Sequence, residues 1–141
     1  MISQRLNGDA VLCLDSTFII DYLRGDPLSL KKAAEIKAAG LATTSVNCFE
    51  VLSGLIGNGR VPRDSVEVFS AFISSIEVFE VDYRASFESA RIFAGLAAKG
   101  RKVEGSDCLV AGTMLSHGCS SILTRNKKHF ERIPGLKVES Y

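Results

Sequence analysis

The sequence predicts an α/β fold with a mainly parallel sheet, and three observations carry that expectation. Short apolar runs, such as Val11–Leu14 and "IEVFEV" (Ile76–Val81), alternate with longer segments of helical periodicity. Residues that start helices (Asp, Ser, Thr, Pro) and stop them (Gly) punctuate those segments in the right order. The 141 residues are 46% apolar, enough for one good core without metal or disulfide staples.

Residues 1–10, "MISQRLNGDA", lack a basic patch followed by an apolar stretch, and read as a short tail before a single domain over 11–141. Val11–Leu14 is too short for a helix and reads as a buried strand. Ser16 or Thr17 can cap a short helix reaching about Leu23, which Gly25 ends. Pro27 suits the first turn of a second helix, carrying Leu28, Leu30, Ala34 and Ile36 and stopping at Gly40. "LATTS" reads as a strand followed by cap residues, and a helix follows from Val46 to about Ile56, broken by "GNG". Pro62 opens a helix with Val66, Phe69 and Ile73 on one face. Ile76–Val81 is a strand, and Asp82 caps a longer helix with Phe87, Ala90, Ala94 and Ala97 at core spacing. Ser106 caps an apolar helix from Asp107 to about Ser116. "SSILT" is a strand, "RNKKHFERIPG" a loop with one helical turn at most, and "LKVES" a last strand.

Several function classes are excluded or left without support. The net charge of +1 does not announce nucleic acid, although it permits a local basic patch. No apolar run approaches the ~20 residues of a membrane span. Cys13, Cys48, Cys108 and Cys119 form no C-x-x-C pair and no zinc spacing, and read as buried reduced thiols of a cytoplasmic protein. No G-x-G-x-x-G follows the first strand, which argues against a dinucleotide enzyme. An aspartyl-phosphate enzyme would want a second acid two residues after Asp15, where Thr17 stands.

Three acids are oddly placed. Asp15 ends the first strand, where an α/β fold binds ligands, although a residue there also serves as a helix cap or in a turn. Glu50 falls at the edge of a helical stripe made by Val46, Phe49, Leu52, Leu55 and Ile56. Beside it the small residues Ser53, Gly54 and Gly57 leave room for an approaching ligand, or merely loosen the helix end. Asp107 opens a helix apolar on nearly every side, where the helix dipole alone would explain an acid. All three fall on the ligand-binding side of the sheet. If they converge, their repulsion is relieved by protonation or by a bound cation. Mg²⁺ or Mn²⁺ suits oxygen ligands, and such a site suits phosphodiester hydrolysis by an activated water.

These residues resemble a known family. "CLDSTFIIDYLRGDP" resembles the opening strand and helix of PIN-domain proteins, especially VapC-type toxins. "TTSVNCFEVLSG" resembles their second acidic motif, "EGSDCLVAG" their third, and "ILTRNKKHFERIPGLKVE" their closing loop and strand. The resemblance implies a three-layer α/β/α sandwich and Mg²⁺- or Mn²⁺-dependent endoribonuclease activity on RNA. It implies Asp15 and Asp107 as the main metal ligands, Glu50 completing the acidic site, and Thr17 orienting the first acid. A homodimer and a small VapB-type antitoxin are implied as partners.

One departure stands out. Where many relatives carry a fourth acid, "TRNKKHF" offers Asn126, which can support the site by a hydrogen bond, and His129, read as a rim residue. That keeps a second reading open, a weak or silent PIN-like module acting by RNA or protein binding. Arg125, Lys127, Lys128 and Arg132 in the same loop are candidates to hold RNA phosphates. Arg60, Arg63, Lys99, Arg101 and Lys102 are weaker candidates.

Overall fold

The computed structural model describes residues 11–101 and 103–141. The expected tail (1–10) and Lys102 lie outside them.

Five parallel strands form one sheet in the order β3-β2-β1-β4-β5. β1 is Val11–Leu14 and leads into α1 (Ser16–Leu23) and α2 (Pro27–Glu35). β2 (Gly40–Thr44) follows, then α3 (Ser45–Ile56) and α4 (Arg63–Ser74). β3 (Glu77–Phe79) leads to the hairpin of α5 (Tyr83–Ala98) and α6 (Gly105–Ser116). β4 (Ser121–Leu123), the single turn α7 (Lys127–Phe130) and β5 (Lys137–Glu139) close the chain's path.

The strands alternate their side chains between two cores, so helices cover both faces. Cys13, Ala42 and Ile122 face a core shared with Ile92 and Leu96 of α5 and Val110, Ala111 and Met114 of α6. Leu12, Leu14 and Leu123 face the other way, against Phe18 and Ile19 of α1, Val51 of α3 and Phe69 of α4. This is the expected α/β/α sandwich. From β1 the chain steps outward to β2 and β3, then returns to the far side of β1 for β4. The switch in strand order therefore falls between β1 and β4, the place where such sheets bind ligands beyond their carboxyl ends. α6 runs back against the strands to feed β4, which puts its first turn, and Asp107, at that same edge.

Several expectations about faces and caps are corrected. Phe87, Ala90, Ala94 and Ala97 of α5 are exposed, and the buried stripe is Ala85, Ser89, Ile92 and Leu96. The reason is close helix packing: a Cβ on Gly112 of α6 would lie 2.6 Å from the Cα of Ser89, so small residues are required where the helices meet. Leu28 and Leu30 of α2 are exposed, and that helix ends at Glu35 rather than Gly40. Phe49 is exposed too, because α3 buries Asn47 and Val51 instead. Glu104, not Ser106, occupies the N-cap position of α6. Asp82 caps α5 as expected, accepting from Ala85 N–H at 2.8 Å.

Candidate active site

Asp15 stands at the N-cap position of α1, yet its side chain makes no capping bond. It is buried and takes three donors instead. Asn47 Nδ2 donates to Oδ1 at 3.0 Å. The hydroxyls of Thr17 and Thr124 donate to Oδ2 at 3.0 and 2.7 Å. The backbone sets the direction of both hydroxyls. Thr17 Oγ1 accepts from Arg125 N–H at 3.1 Å, and Thr124 Oγ1 from Asn126 N–H at 2.9 Å. A backbone N–H only donates, so each hydroxyl proton is left for the carboxylate. Asn47 is oriented in turn by a capping box: its Oδ1 accepts from Thr44 N–H at 3.3 Å and also from Thr44 Oγ1 at 2.7 Å, while its own N–H donates to Thr44 Oγ1 at 3.2 Å.

Glu50 lies one turn into α3, half-buried, and accepts from Ser16 Oγ at 3.1 Å. Burial pushes its carboxyl up from the ordinary range; the Ser16 bond opposes this, and the charges of Asp15 and Asp107 add to it. Asp107, in the first turn of α6, is pushed up by burial; nearby His129 opposes the shift, and the charge of Asp15 adds to it. Asp15 thus acts on both other acids, and Asp107 acts on Glu50. The structure brings the three predicted acids into one electrostatic neighbourhood. Of the small residues beside Glu50, a Cβ added to Gly54 would lie 3.6 Å from Ile20 Cδ1 of α1, and Ser53, Gly54 and Gly57 are all exposed.

Among the described residues, no three His, Cys, Asp or Glu side chains are gathered as a ready metal-holding cluster. The donor set nonetheless fits a hard divalent ion. It offers carboxylate oxygens whose mutual repulsion a cation would relieve. Asp15 is held by three side-chain donors, whereas Glu50 meets Ser16 Oγ and Asp107 meets His129 Nδ1.

The loop after β4 is divided in use. Asn126 contributes its backbone N–H to the Asp15 cradle. His129 Nδ1 lies 3.2 Å from Asp107 Oδ2, so this histidine touches the acidic site. Arg125, a candidate for RNA phosphate, turns its Nη1 onto both oxygens of Asp21 at 2.8 and 2.9 Å. Lys127 Nζ is 3.6 Å from Glu131 Oε1. Lys128 and Arg132 are exposed.

Sequence reasoning passed over Tyr141, Asn47 and Thr124, gave Asp21 no role, and read Ser16 only as a helix cap. Asp21 is buried and also accepts from Tyr141 Oη at 2.6 Å. A signal for it existed, a lone acid in the apolar helix "STFIIDYL". Asn47 had one too, as the third residue after a Thr at a strand end. Thr124 ends β4 as Asp15 ends β1, but a threonine there attracts no notice.

The PIN domain family model matches residues 12–136. The chain belongs to the PIN-domain family. Across 91% of its length it is 30% identical to the tRNA(fMet)-specific endonuclease VapC of Shigella flexneri, covering 96% of that protein. Among solved structures it is similar to the DNA-bound VapBC of Salmonella typhimurium, with a TM-score of 0.79 and 28% identity over 93% of this chain and 98% of that one. The VapBC2 complex of Rickettsia felis, bound to a promoter DNA fragment, shares the fold at a TM-score of 0.78 and 19% identity over 93% and 98% of the two chains. The span matched to the PIN domain contains Asp15, Glu50 and Asp107. Among the described residues of this PIN domain, no helix is long and apolar enough to cross a membrane.

Proposed function

We propose that this PIN-domain protein is a Mg²⁺- or Mn²⁺-dependent endoribonuclease and the toxin of a toxin–antitoxin pair. The observation that carries the reading is the pinned Asp15 at the switch point of the sheet, with Glu50 and Asp107 within its electrostatic reach. The name of its Shigella relative, an endonuclease specific for a tRNA, supports RNA as the substrate class. The neighbouring VapBC complexes support a VapB-type antitoxin. A homodimer in the cytoplasm completes the proposal; Leu28, Leu30, Tyr83 and Phe87 are exposed apolar surface that such partners would cover.

Asp15 and Asp107 would hold the ion, with Glu50 completing the set. When bound, the ion acidifies water and offsets charge building on the phosphoryl oxygens. Asn47, Thr17 and Thr124 hold the Asp15 carboxylate in one orientation. Glu50, its carboxyl raised and anchored on Ser16, is suited to accept the proton of the attacking water. RNA 2′-hydroxyl attack through a histidine pair is not supported, since His129 lies beside Asp107 in the first turn of α6 while His117 stands at that helix's other end, packed on Phe79 with ring centroids 5.0 Å apart.

Cleavage of a defined RNA pool with added Mg²⁺ or Mn²⁺ tests this. Asp15→Asn should lower the rate by more than the roughly 10–100-fold that losing a group supporting a ligand costs, and excess EDTA should stop the wild type. Cleavage persisting in EDTA would overturn the cation-dependent reading. The second reading, a silent module, is kept open by the loop after β4, which offers Asn126 and His129 and no fourth carboxylate. It requires that Mn²⁺ titration show no binding that Asp107→Ala removes.

A further inference from the structure

A cleft of about 670 Å³ opens beside the acidic site, between the end of α5 and the start of α6. That volume is in the range of sites that seat a molecule the size of a nucleotide. Its walls bring Asp107 and His129 together with Phe93, Arg101, Glu104 and Arg132. Phe93 is 49% exposed although it belongs to the helix packed against α6.

We propose that this cleft seats the RNA nucleotide adjoining the bond that is cut, with its base laid on Phe93 and its phosphates beside Arg101 and Arg132. The inference rests on the endoribonuclease reading for its placement next to the scissile bond. Three features favour a nucleotide over a plain anion or a plain apolar ligand. Arginines suit phosphate oxygens. An exposed aromatic face suits a base of any identity, because every base has a π-face. Glu104, which would repel a simple anion, can accept from the exocyclic amine of adenine, cytosine or guanine. The distribution of paired cations points the same way. Arg125 is turned onto Asp21 and Lys127 lies beside Glu131, so part of the basic loop is engaged within the protein, while Arg101 stands exposed on the cleft wall. The backbone contact to RNA thereby shifts from Arg125 and Lys127 toward Arg101, while Lys128 stays exposed in the loop.

The test measures affinity for a fluorescent single-stranded oligoribonucleotide by anisotropy, in an Asp15→Asn background so that the strand survives. Phe93→Ala and Arg101→Ala should each raise Kd about tenfold, within the range that removing a stacking ring produces. Phe93→Tyr should bind like the parent, and melting curves should show every variant folded. In the cleavage-competent chain, Phe93→Ala should lower kcat/KM chiefly through KM. Unchanged RNA affinity in both alanine variants would overturn the inference, even if the wild type cleaves RNA. So would Phe93→Ala changing the oligomeric state by light scattering while RNA affinity stays fixed, because a second copy of the chain would then be what covers the ring. Phe93-dependent binding without cleavage by the wild type would preserve the cleft and defeat the nuclease reading alone.

Discussion

Glu50 and Asp107 give the residue scale its sharpest consequence. Burial, followed by the pull and push of their neighbours, holds both carboxyls above the ordinary range in the folded chain. A folded state with raised carboxyl values binds protons more tightly than the unfolded chain. The resulting stability is fully present below the unfolded value and is lost as pH rises through the folded one. At neutral pH without divalent ion, both groups therefore work against the fold. Glu50→Gln should raise the melting temperature of EDTA-treated protein near pH 7 by no more than a few degrees, since the group is half-exposed and partly screened. That advantage should vanish as pH falls to about 4, the ordinary glutamate range. Calorimetry across this window checks it, and an advantage that grows on acidification would contradict the assigned direction.

Between elements, the contact of α5 with α6 is the least forgiving. A Cβ at position 112 would meet the backbone nitrogen of Ser89 at 2.5 Å and its Cα at 2.6 Å. Backbone does not swing aside as a flexible side chain does. Gly112→Ala should cost about 1–3 kcal/mol in a urea melt, the usual range for overpacking, and Ser89→Ala should not rescue it. This contact also explains what the sequence concealed. α5 carries two apolar stripes, Phe87/Ala90/Ala94/Ala97 and Ala85/Ser89/Ile92/Leu96, and periodicity alone prefers the one with fewer polar members. The helices choose the other because Ser89 and Gly112 are small and allow a close approach. Strand order was hidden for a similar reason, as no local pattern in β4 records which neighbour it joins. The acids were legible because Asp15, Glu50 and Asp107 violate their local patterns. Thr124 and Asn47 fit theirs and were invisible, although they hold Asp15 in place.

At the scale of the whole molecule, Asp21 ties the first helix to the far end of the described chain. Arg125 Nη1 reaches both of its oxygens and Tyr141 Oη reaches one, with the Tyr141 ring edge-on to Phe18 at 5.1 Å between centroids. Burial and the Asp21 carboxylate push the Tyr141 hydroxyl well above its ordinary value, so it stays a donor across the working range. Tyr141→Phe removes one donor from a buried acid and should cost about 1–3 kcal/mol. Arg125→Met removes the charge partner while Tyr141 still donates, and because the Arg125 side chain is 57% exposed it should cost about 1–3 kcal/mol, with much of the loss recovered by adding Asp21→Asn. A double-mutant cycle in denaturant measures the coupling, and strictly additive losses would show that the pair is incidental.

The cradle around Asp15 has a consequence in time. Its tightest donor, Thr124, lies 109 residues further along the chain. At about 5–20 residues per second, the ribosome delivers that hydroxyl roughly 5–20 s after the aspartate. Until then β4 is not in place, and the carboxylate lacks its Thr124 partner. On the nuclease reading, a nascent chain therefore carries an Asp15 without its Thr124 donor while it is still beside the tRNAs and messages of the machine that is making it. On the same reading, an antitoxin would need to meet only finished molecules.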